Sequence, residues 1–413
     1  MAETNWAGNH TYRARIERVR SIERLQEVVA ASPKVRALGS RHSFTDITDI
    51  TATGGVLVSL ADLPTNVDVD PSSRTARVTG PAAYGDVATQ LQAAGWALGN
   101  LASLPHISVA GAVATGTHGS GVENGSLATA VASLDIVGPD GELRTVSRGD
   151  ADFEGSVVAL GALGVVTALT LDIEPTYDVR QDVYTGLGWD ALVANLDDIT
   201  HSAYSVSLFT RWADAGIEQV WRKSRVDEAP AELHGARPAT RTMHMLEGAS
   251  TESVTGQGGV MGPWLDRLPH FRMGFTPSRG EELQSEYLLP CANALTAIER
   301  LRPLGTRLAP VLQTTELRTV AADDHWLSSA YGHDVLGVHF TWLRNEDLVH
   351  AVMPEIEDAL LPLGGRPHWG KCFVAGADAI APLYPRLADF RALRDRVDPD
   401  RVFGNAWLDR VIG

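Results

Sequence analysis

The chain has 413 residues, of which 44% are hydrophobic and 21% charged, and its formal net charge is -16. These values are ordinary for a large soluble globular protein of two or three domains. The acidic balance argues against nucleic acid or an anionic membrane surface as a partner, because like charges repel. It does not exclude a bound dinucleotide, since backbone N–H groups can hold a pyrophosphate without basic side chains.

The two cysteines, Cys291 and Cys372, provide neither a disulfide framework nor a paired-cysteine metal site. The N-terminal residues lack the basic and apolar regions of a secretory signal. No apolar run approaches the roughly 18 residues needed to span a bilayer. We therefore expect a soluble cytoplasmic protein with no membrane attachment and no obligate protein partner.

The first 175 residues contain short hydrophobic runs separated by glycine-rich turns. Ser21 is the predicted N-cap of a helix that ends near Ala31, because apolar residues follow it at helical spacing. A second helix is predicted over 84–94. Proline and glycine in the segment 138–141 predict a tight turn, because proline presets φ and glycine accepts positive φ. Strands are predicted near 35–38, 57–60, 76–79, 132–137, 143–146 and 165–173.

From about Tyr177 onwards, tryptophan, histidine and charged residues become more frequent and several short segments alternate. The glycine-, serine- and threonine-rich segment 248–262 predicts a loop, and the segment 288–301 predicts a helix. The last forty residues return to helical patterns. The whole predicts an α+β protein with domains at 1–176 and 177–365. A C-terminal segment, 366–413, is expected to rejoin the first domain.

Two segments of small residues are the strongest sign of a ligand site in the first domain. The first is Gly-Ser-Arg-His-Ser at 39–43, directly after a predicted strand. The second covers 102–121 and contains Thr-Gly-Thr-His-Gly at 115–119. Glycine lets the backbone approach a ligand closely, and the nearby serine and threonine hydroxyls can bind its oxygens. Neither segment fits the dinucleotide fingerprint or the P-loop, so tight turns around a core are an equal alternative from these residues alone.

Two alternating segments of the second domain carry polar residues on one face. The first places Glu316 and Arg318 on the same face of a strand, and the second does so for His339 and Thr341. Three large apolar residues occupy the opposite face of the second segment. This pattern predicts a sheet that packs on a core and turns a polar face outward. That face either lines a cavity or meets solvent with cross-strand ion pairs.

The order and spacing of these motifs resemble the vanillyl-alcohol-oxidase type flavoproteins, in the branch of the alditol oxidases and aldonolactone oxidases. The resemblance rests on the segments at 39–43 and 115–119 and on Pro-His-Trp-Gly-Lys at 367–371. Asn5-Trp6 and Phe403-Gly404-Asn405 extend it over nearly the whole chain. The runs 101–126 and 313–320 favour the alditol oxidases within that branch.

The resemblance implies a two-domain FAD-binding fold, with the FAD-binding domain at 1–176. The substrate domain at 177–365 is expected to be an antiparallel sheet flanked by helices. FAD is expected to be bound covalently through His42. Arg41 stands where close relatives carry glycine, and a positive φ there would cost arginine about 1 kcal/mol or more. The implied cofactor-binding residues are Ala37, Leu38, Gly39, Ser40, Arg41, His42, Ser43, Ser103, Ser108, Gly111, Thr115, Gly116, Thr117, His118, Val166 and His368.

The implied reaction is oxidation of the terminal hydroxyl of an alditol to the aldose. A hydride passes from C1 to flavin N5, and dioxygen then reoxidises the flavin and gives hydrogen peroxide. The small side chain of Ala102 is expected to leave access for dioxygen. The expected catalytic residues are His339 as proton acceptor, with Arg318 and Lys371 as electrostatic stabilisers. The expected substrate-binding residues are Ser103, Glu316, Arg318, Thr341 and Lys371.

Three alternatives remain at this point. An aldonolactone oxidase would share the fold and the flavin but take a cyclic lactone. A metal-dependent hydrolase is suggested by the thirteen histidines. It is disfavoured because the chain lacks H-E-x-x-H, H-x-H and paired-cysteine spacings, and we expect no metal. A non-catalytic flavin-binding protein is the third alternative.

Overall fold

The structure is a computed structural model that describes residues 3–230, 232–275 and 281–413. Helices and largely antiparallel sheets occur together along the chain, which confirms the predicted α+β class.

The first sheet is parallel and contains β1 (Arg15–Arg18), β2 (Val35–Ala37) and β3 (Val56–Ser59), in the order β1-β3-β2. β1 and β2 flank β3 and run parallel to it, so a crossover must connect them, and the helix Ile22–Ala31 provides it. The hydroxyl of Ser21 accepts a hydrogen bond from the Arg24 N–H at 3.1 Å, which confirms the predicted N-cap.

The second sheet has five antiparallel strands in the order β4-β5-β8-β6-β7. Its β6–β7 hairpin turns at 138–141, where the Gly141 N–H donates to the Gly138 carbonyl at 3.0 Å. Gly141 has a φ of 80°, as the turn prediction required. The strands are β4 (Val67–Asp70), β5 (Thr75–Thr79), β6 (Val131–Val137), β7 (Leu143–Ser147) and β8 (Val165–Asp172).

The third and largest sheet is antiparallel, with its long strands in the order β9-β11-β10-β13-β14-β12. On β14, Val338, Phe340 and Trp342 are fully buried, which confirms the predicted apolar face. The opposite face carries polar side chains. The strands are β9 (Asp178–Leu187), β10 (Ser205–Thr210), β11 (Ile217–Ser224), β12 (Glu282–Pro290), β13 (Leu312–Val320) and β14 (Val335–Leu343).

Helices connect the strands and form most of the C-terminal segment. Their buried residues belong largely to the hydrophobic core that runs through both halves of the molecule. They cover Ile22–Ala31, Tyr84–Ala93, Val109–Ala114, Phe153–Val157, Trp189–Thr200, Ala294–Leu301, Gly305–Leu308, Glu346–Leu360, Ala377–Ile380, Leu387–Val397 and Ala406–Ile412.

The helix predicted over 288–301 is wrong in its first third. Leu288 and Leu289 are buried in β12, and the helix begins only at Ala294. Pro290 ends the strand because it has no N–H to donate to the sheet. A continuous apolar run does not separate a buried strand from a buried helix, so the sequence could not place this boundary.

Backbone hydrogen bonds connect the two small-residue segments with the rest of the site. The Gly121 N–H donates to the Thr319 carbonyl on β13 at 2.9 Å. The Phe44 N–H donates to the Gly370 carbonyl at 2.8 Å. The first bond holds the second segment against β13, and the second bond holds the end of the first segment against the C-terminal segment.

Candidate active site

A cavity of about 790 Å³ lies between the two small-residue segments and the polar face of the third sheet. All six predicted substrate-binding and catalytic residues line it, and so do all but one of the predicted cofactor residues. The exception is Gly116, which does not line the cavity. It has a φ of 64°, a conformation that favours glycine.

The two segments approach each other closely at Gly39 and Ser108, and Gly111 leaves room for Ser108 within the second segment. A Cβ added at Gly39 would lie 2.9 Å from Ser108 Oγ, and one at Gly111 would lie 2.8 Å from the same atom. The Ser108 N–H donates to Ser40 Oγ at 3.1 Å. This close approach leaves exposed backbone and hydroxyl groups along the cavity wall, which is the surface that a phosphate-bearing cofactor requires.

His42 lies half-buried in the cavity wall with its imidazole stacked on Trp6, at 5.4 Å between ring centroids. Within the described residues its Nδ1 is buried and has no hydrogen-bond partner. Burial and the neighbouring His106 lower the pKa of His42 to about 4, so the imidazole is neutral. A neutral, unpartnered ring nitrogen at this position fits a residue that forms a bond to a cofactor.

Arg41 adopts the left-handed conformation that its position in the segment implied, with a φ of 64°. This conformation costs a residue with a Cβ roughly 1–2 kcal/mol. The Arg41 guanidinium forms an ion pair with Glu3, and its carbonyl accepts a hydrogen bond from the Trp6 N–H at 2.8 Å. These contacts hold the backbone before His42 in place.

The polar face of the third sheet brings three side chains into one cross-strand row. Glu316 on β13 pairs with His339 on β14, and His339 pairs with Glu286 on β12. Arg318 lies next to this row and donates from Nη1 to Ser103 Oγ at 3.2 Å. The second small-residue segment and the sheet therefore meet at Ser103.

Lys371 reaches the same row from the C-terminal segment. Its Nζ lies 2.7 Å from His339 Nδ1 and 2.6 Å from Glu286 Oε2. Burial lowers the pKa of Lys371, and burial together with Lys371 keeps the pKa of His339 well below 6.5. On the other side of the ring, His339 Nε2 lies 3.3 Å from Thr341 Oγ1.

Glu286 is the principal site residue that the sequence analysis missed. It is buried, and its Oε1 accepts from Arg318 Nη2 at 2.9 Å and Nε at 3.2 Å. Burial by itself would raise the pKa of Glu286, but Arg318 and Lys371 hold it well below its usual range. The signal in the sequence was the alternation of Glu282, Gln284 and Glu286, which places three polar residues on one strand face.

Two further residues behind Glu316 were also missed. His270 Nε2 lies 3.0 Å from Glu316 Oε1, and Lys223 Nζ lies 3.0 Å from His270 Nδ1. Burial lowers the pKa of Lys223 to about 7. Burial and Arg318 act in opposite directions on Glu316, and the net result is a pKa well below 4.5. His270 lies in a loop without strand or helix periodicity, so no sequence pattern indicated it.

His118, Glu286 and His368 have potential metal-ligand atoms within 4.8 Å of one another. Arg318 and Lys371 already neutralise the Glu286 carboxylate, and they would repel a divalent cation at short range. The His368 Nδ1 also accepts a hydrogen bond from the Gly370 N–H at 3.1 Å. The charge around this cluster therefore opposes a metal site.

Comparisons with known proteins agree with this geometry. A family described as FAD binding domain matches residues 14–147, and one described as D-arabinono-1,4-lactone oxidase matches residues 275–411. The alditol oxidase of Streptomyces sp. (strain IKD472) is 49% identical over 98% of both chains. The chain belongs to the alditol oxidase branch of the vanillyl-alcohol-oxidase type flavoproteins.

More distant relatives of this flavoprotein include the L-gulono-1,4-lactone dehydrogenase of Mycobacterium tuberculosis, which is 32% identical over 99% of both chains. Among solved structures, cholesterol oxidase from B. sterolicum superimposes with a TM-score of 0.79 at 15% identity, covering 100% of this chain and 96% of that one. Xylooligosaccharide oxidase from Myceliophthora thermophila superimposes with a TM-score of 0.76 at 14% identity, covering 99% of this chain and 94% of that one. The predicted FAD-binding fold is confirmed, and the flavoprotein is an oxidoreductase that binds FAD.

In the described part of this flavoprotein, no helix has both the length and the apolar character needed to cross a membrane.

Proposed function

We propose that this flavoprotein is an FAD-dependent oxidase of alditols such as xylitol and sorbitol. The observation that carries the proposal is the row of hydrogen-bonding side chains that faces the cofactor segments across one cavity. A neutral polyol offers only hydroxyl groups, so a site that recognises it must supply donors and acceptors at fixed positions. The alditol oxidase at 49% identity supports the same substrate class.

FAD would be held by the two small-residue segments and bonded to His42. The unpartnered Nδ1 and the low pKa of this histidine support covalent attachment. Bound there, FAD supplies the acceptor for the hydride that leaves C1 of the alcohol. Electrons pass on to dioxygen, which takes two electrons and two protons to become hydrogen peroxide. The small, buried Ala102 in the cavity wall supports access for dioxygen.

The polar side chains would bind and orient the alditol. Arg318 faces the reacting hydroxyl and stabilises the negative charge that develops on its oxygen. Glu316 accepts hydrogen bonds from the second and third hydroxyls of the alditol, and the Thr341 hydroxyl can donate or accept there. Ser103 binds the alditol from the opposite wall. Lys371 acts through His339, because its Nζ contacts Nδ1 of that ring.

His339 is our candidate for the acceptor of the hydroxyl proton. While Lys371 is charged, it donates to Nδ1, so the ring proton sits on Nε2 and the imidazole has no free lone pair toward the cavity. When Lys371 loses a proton, the ring can carry its hydrogen on Nδ1 and expose a bare Nε2. The competent form therefore appears as pH rises, and burial brings that change below 10.5, the ordinary pKa of lysine.

An aldonolactone oxidase is the second candidate. It is favoured by one specific observation, since the match to the D-arabinono-1,4-lactone oxidase family covers residues 275–411, which include Glu316, His339 and Glu286. A cyclic lactone would use the same hydrogen-bonding groups. The two candidates differ in the donor that reduces the flavin.

We expect xylitol or sorbitol to bleach the yellow flavin spectrum in the absence of oxygen. A donor panel of xylitol, sorbitol, L-gulono-1,4-lactone and D-arabinono-1,4-lactone, followed by absorbance, compares the two candidates directly. Faster reduction by the lactones would reject the alditol assignment. Reduction by none of the four would reject both candidates and leave a flavin-binding protein of another activity.

The variant His42→Ala is expected to lose all covalently bound flavin. Wild-type protein denatured and precipitated in acid should stay yellow, whereas the variant should release its colour to the supernatant. His106→Ala is the matched control, because His106 also lines the cavity beside His42. A wild-type precipitate without colour would contradict covalent attachment, and a yellow His42→Ala precipitate would assign it to another residue.

A further inference from the structure

The cavity continues along the third sheet beyond the row of Glu316, His339 and Glu286. In the sheet register the next polar row contains Thr314, Thr341 and Gln284. Two residues along a strand correspond to about 7 Å. Glu282 on β12 follows one further step along the same face, and all four side chains line the cavity.

The buried hydroxyl of Thr314 indicates that this row binds a ligand. Its side chain is only 4% exposed, and among the described residues its Oγ1 has no hydrogen-bond partner. Buried hydroxyl groups in folded proteins are nearly always hydrogen bonded. A hydroxyl that is buried, unpartnered and in the wall of the substrate cavity is satisfied when a substrate hydroxyl meets it.

Gln284 and Glu282 add acceptors at the far end of the row. Gln284 Nε2 donates to Glu282 Oε1 at 2.7 Å, which fixes the two side chains relative to each other. The carboxylate has a second oxygen, and the amide oxygen is also an acceptor. This end of the cavity is therefore rich in acceptors. Burial raises the pKa of Glu282, so the carboxylate carries its negative charge at a pH above that raised pKa.

Apolar side chains line the cavity as well. Met245, Leu246 and Phe271 come from the chain segments between β11 and β12. A cavity with hydrogen-bonding groups on the sheet face and apolar groups elsewhere suits a carbon chain that carries hydroxyls along its length.

We propose that Thr314, Gln284 and Glu282 form a distal subsite that binds the hydroxyls beyond C3 of an alditol. The Glu282 carboxylate disfavours chains that end in an anion, because like charges repel at short range. This inference rests on the proposed function. It makes the enzyme selective for alditols of five and six carbons over shorter ones, and for neutral chains over aldonates.

The variant Thr314→Val removes the hydroxyl and keeps the side-chain shape. We expect the ratio of kcat/KM for sorbitol to kcat/KM for glycerol to fall about tenfold, because only the longer chain reaches the subsite. Thr319→Val is the matched control. Thr319 lies on the same strand, and its buried Oγ1 also has no partner among the described residues, but it does not line the cavity. Its ratio should equal that of the wild type.

Glu282→Gln tests the charge separately. The ratio of kcat/KM for L-gulonate to that for sorbitol should rise about tenfold. L-gulonate has the six carbons of sorbitol and the same CH2OH end that sorbitol presents for C1 oxidation, but its other end is a carboxylate. A Thr314→Val variant whose sorbitol and glycerol values fall together would overturn the chain-length role. A Glu282→Gln variant with the wild-type ratio would overturn the charge role. Oxidation of lactones alone would instead reject the proposed function, and the subsite with it.

Discussion

Replacing Glu286 by glutamine is expected to slow flavin reduction by alditols about 100-fold while FAD stays bound. Glu286 contacts both Arg318 and Lys371, so the amide leaves two buried cations without their shared counter-charge. Removal of one partner of a buried ion pair typically costs roughly 3–5 kcal/mol. Anaerobic stopped-flow absorbance would measure the rate of reduction, and the visible spectrum would report the flavin content.

The pH profile of Glu286→Gln distinguishes positioning from mere structural damage. Glu286 raises the pKa of Lys371, whereas burial lowers it. Without the carboxylate, Lys371 loses its proton at lower pH, and the rising limb of the rate profile should move to lower pH. Glu357→Gln is the control, because Glu357 is a buried carboxylate bonded to Tyr287 outside the cavity. If the rate of Glu286→Gln fell but the rising limb of its pH profile stayed at the wild-type pH, Glu286 would have a structural role only.

The variant His339→Ala is expected to lower the rate of flavin reduction by roughly 100- to 10,000-fold, the usual range for loss of a general base. Its imidazole lies between Lys371 and Thr341 in the cavity wall, and burial together with Lys371 keeps its pKa well below 6.5, so the ring is neutral. Reduction should be measured from pH 6 to 10 with xylitol, with the flavin content of each sample determined in parallel.

The variant His339→Ala should also lose the rising limb of the pH profile of flavin reduction. The rising limb of the rate profile reports loss of the Lys371 proton, which frees Nε2 of His339. The variant has no imidazole, so its rate should not depend on that proton. His325→Ala is the matched control, since His325 is a buried histidine bonded to Glu154 and does not line the cavity. Reduction of His339→Ala at close to the wild-type rate would show that another group takes the proton.

Local patterns predicted most of the helices and strands, and they predicted the polar site residues that alternate along β13 and β14. The Ser21 cap, the 138–141 turn and the alternation on β13 and β14 depend on neighbours within a few residues, and each was found where it was predicted. Alternation also put Glu316 and Arg318 on one face. The boundary at Pro290 was missed because the last part of β12 is a continuous run of buried apolar residues, 287–289, which does not show the alternation that identifies a strand.

The residues that the sequence did not indicate share one property, which is that their role depends on partners distant in the chain. Glu286 lies beside His339 because β12 pairs with β14, and it binds Lys371 because the C-terminal segment packs against the same face. Lys223 and His270 support Glu316 from β11 and a loop.

The sequence by itself determined the α+β class, the two small-residue segments with His42, and the polar face with Glu316, Arg318, His339 and Thr341. Those features follow from spacing along one strand or one loop. Only the tertiary structure decided which charges face each other: the carboxylate of Glu286 between two cations, the contact of Lys371 with His339 Nδ1, and the unpartnered hydroxyl of Thr314. The physical reason is that a charge or a hydroxyl acquires its chemistry from burial and from neighbours, and strand pairing sets both.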